Sequence, residues 1–234
     1  VRVFPQGDFA AMYFFLATIL GALAAALAGF FVGVVSFKTR GDYLAIVTLA
    51  FTMIVKSIIE NIDAIGGPRG FLGMQPLTNL GTVFAWTVLC VWLIRNLVYS
   101  KYGRGILSIR EDETAASLCG VDTRRTKLIA FVISAAFAGV AGALFAHLLL
   151  VITPKTFDII KSTDILIMVY LGGIGSLGGS VLGATIYTVL MEVLRPLGVW
   201  RMVLMPLLLI LLMLFRPRGI MGLREFPWWE PKKK

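Results

Sequence analysis

The 234 residues carry 22 Lys and Arg against 13 Asp and Glu, a net charge of +9, yet only 15% of the chain is charged and mean hydropathy is +0.87. An ordinary soluble domain, at about 25% charged residues, is excluded by that deficit. The charges sit in short islands between apolar runs long enough to cross a hydrocarbon core of about 30 Å, and the alternating segments of about ten residues that would mark a β-barrel are not seen.

The expected fold class is therefore all-α: a polytopic transmembrane helical bundle of about five to seven spans, some short or broken, over residues 1–234 as a single domain. The first span is expected at about 11–37, followed by the basic island KTRGD at 38–42. The second covers 43–59, and a Gly/Pro-rich loop, 60–81, leads to a third at 82–99. A polar island, 100–127, precedes a fourth span at 128–151 and a polar break at 153–163. The apolar run 164–195 is interrupted by GGIGSLGG at 172–179, and a last span at about 201–215 opens into the tail 216–234.

Lys and Arg counts orient these segments. The 100–127 island carries six, the tail six and KTRGD two, against one in the 60–81 loop. The positive-inside rule puts the first three in the cytoplasm and the 60–81 and 152–163 loops outside. The net positive charge is thus read as orientation, with no nucleic-acid partner and with membrane lipid as the surrounding medium. Trp228 and Trp229 suit the cytoplasmic interface. An odd number of crossings must follow 163, met either by three short crossings or by a re-entrant hairpin plus one span. Cys90 and Cys119, one in a span and one in the island, are not expected to pair.

The island holds the densest chemistry. Asp112 is placed to cap a short helix at 113–119, with Glu111 and Glu113 at its positive end. Ala115 and Ala116 give it a small-residue face, Gly120 stands where a C′ glycine would stop it, and Asp122 caps the next helix, whose first turns carry Arg124, Arg125 and Lys127. Topology alone accounts for the arginines of a solvated linker. It does not account for the acidic cluster, since acidic residues contribute little to orientation. A docking surface for a partner is the preferred reading.

The outer loop GGPRG, with Gly66, Gly67 and Gly70, is either an ordinary turn or a place where backbone amides line a solute path or a binding protein sits close. The break at Gly172, Gly173 and Gly175 marks either discontinuous helices around a cavity or a tight turn between short spans. In the fourth span Ala135/Gly139/Ala143 and Ala138/Gly142/Ala146 repeat the small-xxx-small spacing that lets helices approach closely. His147, with no metal partner in the sequence, reads as an interface histidine, and Glu192 and Arg195 as a pair on one helical face. No P-loop pattern, metal cluster or nucleophile–histidine–acid set occurs. A catalytic role, a metal site and a cofactor bound by this chain are therefore not expected, and deeply buried ionisable residues of the kind that mark ion coupling are nearly absent.

Glu113 to Gly120, E-x-A-A-x-x-x-G, resembles the cytoplasmic EAA loop of ABC-transporter permeases. With RGDYLAIVTLAF at 40–51, GGPRGF at 66–71, the stretch 102–144, ILIMVYLGGIGSLGGSVLGA at 165–184 and FRPRGIMG at 215–222, the chain resembles the LivM-type permease of branched-chain amino acid ABC importers from about residue 40 to 223. The resemblance implies a multi-pass permease of the bacterial inner membrane carrying leucine, isoleucine and valine. Glu111, Asp112, Glu113, Ala115, Ala116 and Gly120 would then lie in a coupling helix docked to one of two cytoplasmic ATPase subunits, which hold the ATP. It also implies a second, homologous permease and a periplasmic solute-binding protein. Urea or short-chain amides are alternative cargo within the same superfamily; a stand-alone secondary transporter is the alternative outside it. Family members carry extra N-terminal spans, so further spans are expected before Val1. The family form T-G-G-x-x-G has Ile65 here in place of Thr.

Overall fold

A computed structural model describes residues 9–39, 42–63, 66–74, 77–216, 218–222 and 225–226. Trp228, Trp229, Ile65 and most of the far tail lie outside the described residues. The helices are α1 (Phe9–Ser36), α2 (Asp42–Glu60), α3 (Leu80–Val98), α4 (Lys101–Glu111), α5 (Glu113–Leu118), α6 (Thr123–Leu149), α7 (Ile159–Gly172), α8 (Leu177–Val193) and α9 (Arg201–Phe215). Four of them, α1, α2, α3 and α6, are long and apolar enough to span a membrane, while α8 and α9 are shorter apolar helices. The polytopic all-α architecture is as expected. The chain divides into two compact units, 1–154 and 155–234.

In the first unit α1 and α6 pack antiparallel, as their contacts show: Gly21 lies 3.6 Å from Ala143, Gly29 faces Ala135, and Gly33 faces Leu128 and Phe131. The expected Ala135/Gly139/Ala143 stripe is one half of this seam. Its other half is Gly21/Ala25/Gly29/Gly33 on α1, with the same four-residue spacing. A Cβ added at Gly139 would stand 2.6 Å from the Gly21 carbonyl oxygen and 2.7 Å from Ala25 Cβ. The backbones touch because nothing projects between them, and in lipid such van der Waals contact is the main force holding helices together. Gly142, on the second stripe, has open space before it.

Aromatic rings close both ends of the seam. At one end Phe14 meets His147 edge-on at 5.4 Å and Trp86 of α3 at 6.3 Å; at the other Phe37 meets Phe131 at 5.7 Å. His147 is thus an interface side chain. No residue of the α2 or α3 spans is buried within the chain, and Ile46, Phe84 and Trp92 are among their exposed apolar side chains. Faces of that kind meet lipid or another protein.

Two short strands, β1 (Phe71–Leu72) and β2 (Val151–Ile152), pair antiparallel with Phe71 opposite Ile152. This ladder joins the segments after α2 and after α6 at one end of the unit. At the other end the close of α1 meets the start of α6. Both groupings agree with the sides drawn from charge counts.

In the second unit α7 and α8 form an antiparallel hairpin. A Cβ at Gly183 would fall 2.1 Å from the Met168 carbonyl oxygen, and one at Gly172 would fall 1.9 Å from that of Gly179. Ile167, Tyr187 and Met205 form the buried core of this unit, packed by Met168, Leu190 and Leu208. After α9 the chain returns to the hairpin tip, where the Ile220 and Met221 amides donate to the Leu171 and Gly172 carbonyls, each at 3.0 Å. The ends of α7 and α9 therefore lie together. These helices are 14, 17 and 15 residues long, each shorter than the four that are long and apolar enough to span a membrane.

Candidate functional site

The island 100–127 folds into two helices and a cap, not one. Ser100 starts α4, its hydroxyl accepting from the Gly103 amide at 3.1 Å. Gly103 is buried, and a Cβ there would lie 2.1 Å from the Val98 carbonyl oxygen, so the chain turns tightly from α3 into α4. This helix was not anticipated from the sequence. Its two glycines lower helix propensity, but Ser100 and the spacing of Tyr102, Ile106 and Ile109 were signals that could have revealed it. Glu111 consequently closes α4 and pairs with Arg110 at 2.7 Å instead of sitting in the first turn of α5.

Asp112 separates the helices. Its carboxylate accepts from the Thr114 and Ala115 amides at 2.7 and 3.0 Å, the expected N-cap. Glu113 follows in the first turn, where a negative charge suits the helix dipole, and its carboxylate also binds Lys127 Nζ at 2.5 Å, pinning α5 to α6. The helix ends at residue 118, one short of the expected 119. There the Val121 amide donates to the Ala116 carbonyl at 3.1 Å and the Gly120 amide to that of Ser117 at 3.0 Å. That pair of bonds is a Schellman ending, and it needs the left-handed conformation that Gly120 adopts at φ 83°. Asp122 then caps α6 through the Arg125 amide at 3.1 Å.

Burial divides the site into an anchor and a face. Ala116 alone in α5 is buried, at 4% exposure; Ala115 is exposed, and Leu118 stands 84% exposed. A side chain as small as Ala116 lets α5 lie flat against its neighbours. Ala115, Leu118 and Cys119 remain uncovered on a segment whose backbone ends are internally satisfied. The ends of α5 are thus closed by nearby residues of the chain while an apolar patch stays exposed.

The six glycines singled out as path or loop candidates fall in two places. Gly66 and Gly70 bracket the 3₁₀ turn Gly67–Arg69 after α2, which Gly67 opens, and all three are at positive φ. A Cβ at Gly66 would meet the Gly70 carbonyl oxygen at 2.0 Å, and one at Gly70 would meet that of Ile152 at 2.0 Å. Their lack of side chains serves the turn and the ladder beside it. Gly172 and Gly173 form the α7–α8 tip with half-buried Gly175. Tail residues seal this tip: Glu225 accepts from the Leu177 amide and, at 3.2 Å, from the Gly178 amide, and the Phe226 ring covers Gly178. Of the two readings of the glycine break, the tight turn is the one observed.

Sequence reading also passed over Asp164, which lies in α7 with its side chain only 15% exposed. Tyr187 donates its hydroxyl to it at 2.5 Å, and Lys161 lies 3.6 Å away. The charge is thereby partnered on both sides. Glu192 and Arg195 pair at 2.9 Å as expected, fully at the surface. Among the described residues no cluster of His, Cys, Asp and Glu could hold a metal.

Comparison with known proteins places this architecture. Residues 4–215 match the family described as the permease component of branched-chain amino acid transport systems. The chain is similar to the high-affinity branched-chain amino acid transport system permease protein LivM of Escherichia coli K12, with 34% identity across 86% of the chain and 56% of that protein. A probable branched-chain amino acid transport permease LivM of Methanocaldococcus jannaschii is 29% identical across 92% of the chain and 71% of its own length. The Salmonella typhimurium LT2 permease LivH is 34% identical over 65% of the chain and 48% of that protein. The chain thus spans about half the length of the LivM of Escherichia coli. No solved structure matches. A family match over residues 4–215, carried on a polytopic helical fold with a capped helix in its polar island, means that the chain belongs to the permease components of branched-chain amino acid transport systems.

Proposed function

We propose that this chain is the membrane permease subunit of an ATP-driven importer that moves leucine, isoleucine and valine across the bacterial inner membrane. The observation that carries the reading is α5: capped at both ends by its own residues, anchored by Ala116, and exposed at Ala115 and Leu118. Family membership and the likeness to proteins described as branched-chain amino acid permeases support the cargo. In this reading α5 fits a groove on one of two cytoplasmic ATPase subunits. A second, homologous permease completes the path, and a periplasmic binding protein delivers solute on the side of the 60–81 loop.

The mechanism is alternating access. Closure of the ATPase pair around ATP pushes α5. The Glu113–Lys127 ion pair and the α4–α6 contact pass that displacement to α6, and the close glycine seam makes α1 and α6 move as one body. This chain supplies no chemical step; ATP and its hydrolysis belong to the partners. Asp164 is held by Tyr187 and Lys161, which favours ATP drive over a stand-alone secondary transporter.

Two experiments test this. Glu113→Lys in cells carrying the complete system should cut labelled leucine uptake more than tenfold while the permease remains in the membrane; unchanged uptake and unchanged ATPase assembly would remove α5 from the mechanism. Unlabelled isoleucine and valine should compete with leucine where urea and short amides do not. Competition by urea or amides would reassign the cargo and leave the coupling intact.

A further inference from the structure

At the basic end of the first unit, two clefts open beside the α1–α6 seam. One, of about 250 Å³, is lined by Gly33, Val34, Phe37, Arg124, Arg125 and Leu128. The other, of about 270 Å³, shares Phe37 and adds Ile106, Ile109 and Lys127. Their walls are apolar, and each has cations at its rim. The sequence accounts for the arrangement: the apolar run of α1 ends at Phe37, just past the helix, and α6 begins with Thr-Arg-Arg-Thr-Lys before turning apolar at Leu128.

The charges are not all spoken for. Asp122 holds Arg125 at 3.1 Å, and Glu113 holds Lys127 at 2.5 Å. Arg124 makes no ion pair among the described residues and is exposed. Lys38, which follows Phe37 directly, is exposed too and likewise makes none. An occupant of these clefts must therefore bring apolar length and a negative charge. Basic pockets between spans on the cytoplasmic side suit the head groups of anionic lipids, and guanidinium groups match phosphate oxygens in geometry as well as charge.

We propose that the two clefts flanking Phe37 hold one anionic phospholipid, an acyl chain in each and the phosphate beside Arg124 and Arg125. The site goes beyond transport of solute. It places a lipid against α6 within reach of Lys127, the residue that ties α5 down. Its assignment to the inner leaflet rests on the charge-based orientation of the chain; the binding itself does not, and loss of uptake with lipid binding intact would count against the importer reading alone.

The test uses the purified permease in mixed micelles with equal amounts of phosphatidylglycerol and phosphatidylcholine of identical acyl chains, with retained lipid counted by native mass spectrometry. At least fivefold preference for phosphatidylglycerol is expected from the unaltered protein. Arg124→Gln combined with Arg125→Gln should bring retention of the two lipids level. Val34→Trp, which fills one cleft without altering charge, should lower phosphatidylglycerol retention severalfold, and either variant decides the matter if the other fails to fold. Equal retention by the unaltered protein, or a preference that survives the variants, overturns the proposal. Complete displacement of the lipid by millimolar inorganic phosphate also overturns it, since the site would then bind a free anion without using its apolar walls.

Discussion

The polar island and the α7–α8 tip are both short, glycine-bearing turns, and they are built on opposite plans. In the island every helix end is closed by a residue no more than three positions away along the chain: Asp112 and Asp122 at the N-termini, Gly120 at the C-terminus of α5. The outer face of α5 is left over. At the tip the glycines are consumed by packing; Ser176 caps α8 locally through the Gly179 amide at 2.9 Å, but the Leu177 and Gly178 amides are satisfied by Glu225, 48 and 47 residues further on. In the proposed reading, a surface that docks another protein has to be complete before that protein arrives, whereas a joint inside the fold can draw on the rest of the chain. The difference explains why Leu118 is bare while Gly178 and Gly179 are buried.

Substitutions should separate the two plans. Gly183→Val is expected to have the largest effect, because its Cβ would enter the space of the Met168 carbonyl and of the Gly172 amide, 2.1 and 2.6 Å away. Overpacking of backbone against backbone should cost about 3 kcal/mol or more, seen as loss of monodisperse protein and a fall in melting temperature. Glu225→Ala leaves two α8 amides without their acceptor and should cost about 1–3 kcal/mol, read in the same melts. Gly120→Ala meets no atom within 4 Å, so only its left-handed backbone is strained, at about 1–2 kcal/mol. The melting temperature should move less than for Gly183→Val, with leucine uptake reduced. Equal thermal damage from the two glycine changes would erase the contrast between joint and surface. Arg195→Ala removes a pair exposed on both sides and should shift stability by less than about 1 kcal/mol, which sets the floor for the series.

Much of this was legible in the sequence wherever the cause is local. Apolar run length placed α1, α2, α3 and α6, and the Asp112, Gly120 and Asp122 caps followed from residue type and spacing. The Ala135/Gly139/Ala143 stripe was legible too, but not its partner on α1, since a stripe on one helix does not say which helix it meets. What escaped depends on residues distant in the chain or on competing local signals. The β1–β2 ladder, the Tyr187–Asp164 bond, 23 residues apart, and the Glu225 contact have no neighbour in sequence to announce them. The α4 helix escaped for a different reason: Gly103 and Gly105 lower helix propensity, whereas Gly103 is there because the Val98 carbonyl leaves no room for a side chain.

The long reach of Glu225 has an implication for how this protein is made. When α7 and α8 leave the ribosome, the first two amides of α8 still await a carboxylate encoded 48 and 47 codons downstream, with α9 still to be made in between. Until then the turn between them is only half secured, and translocation machinery meets a provisional hairpin. A stall or premature stop ahead of the codon for Glu225 would release helices that are made but unlatched, a form that membrane quality-control proteases are equipped to find.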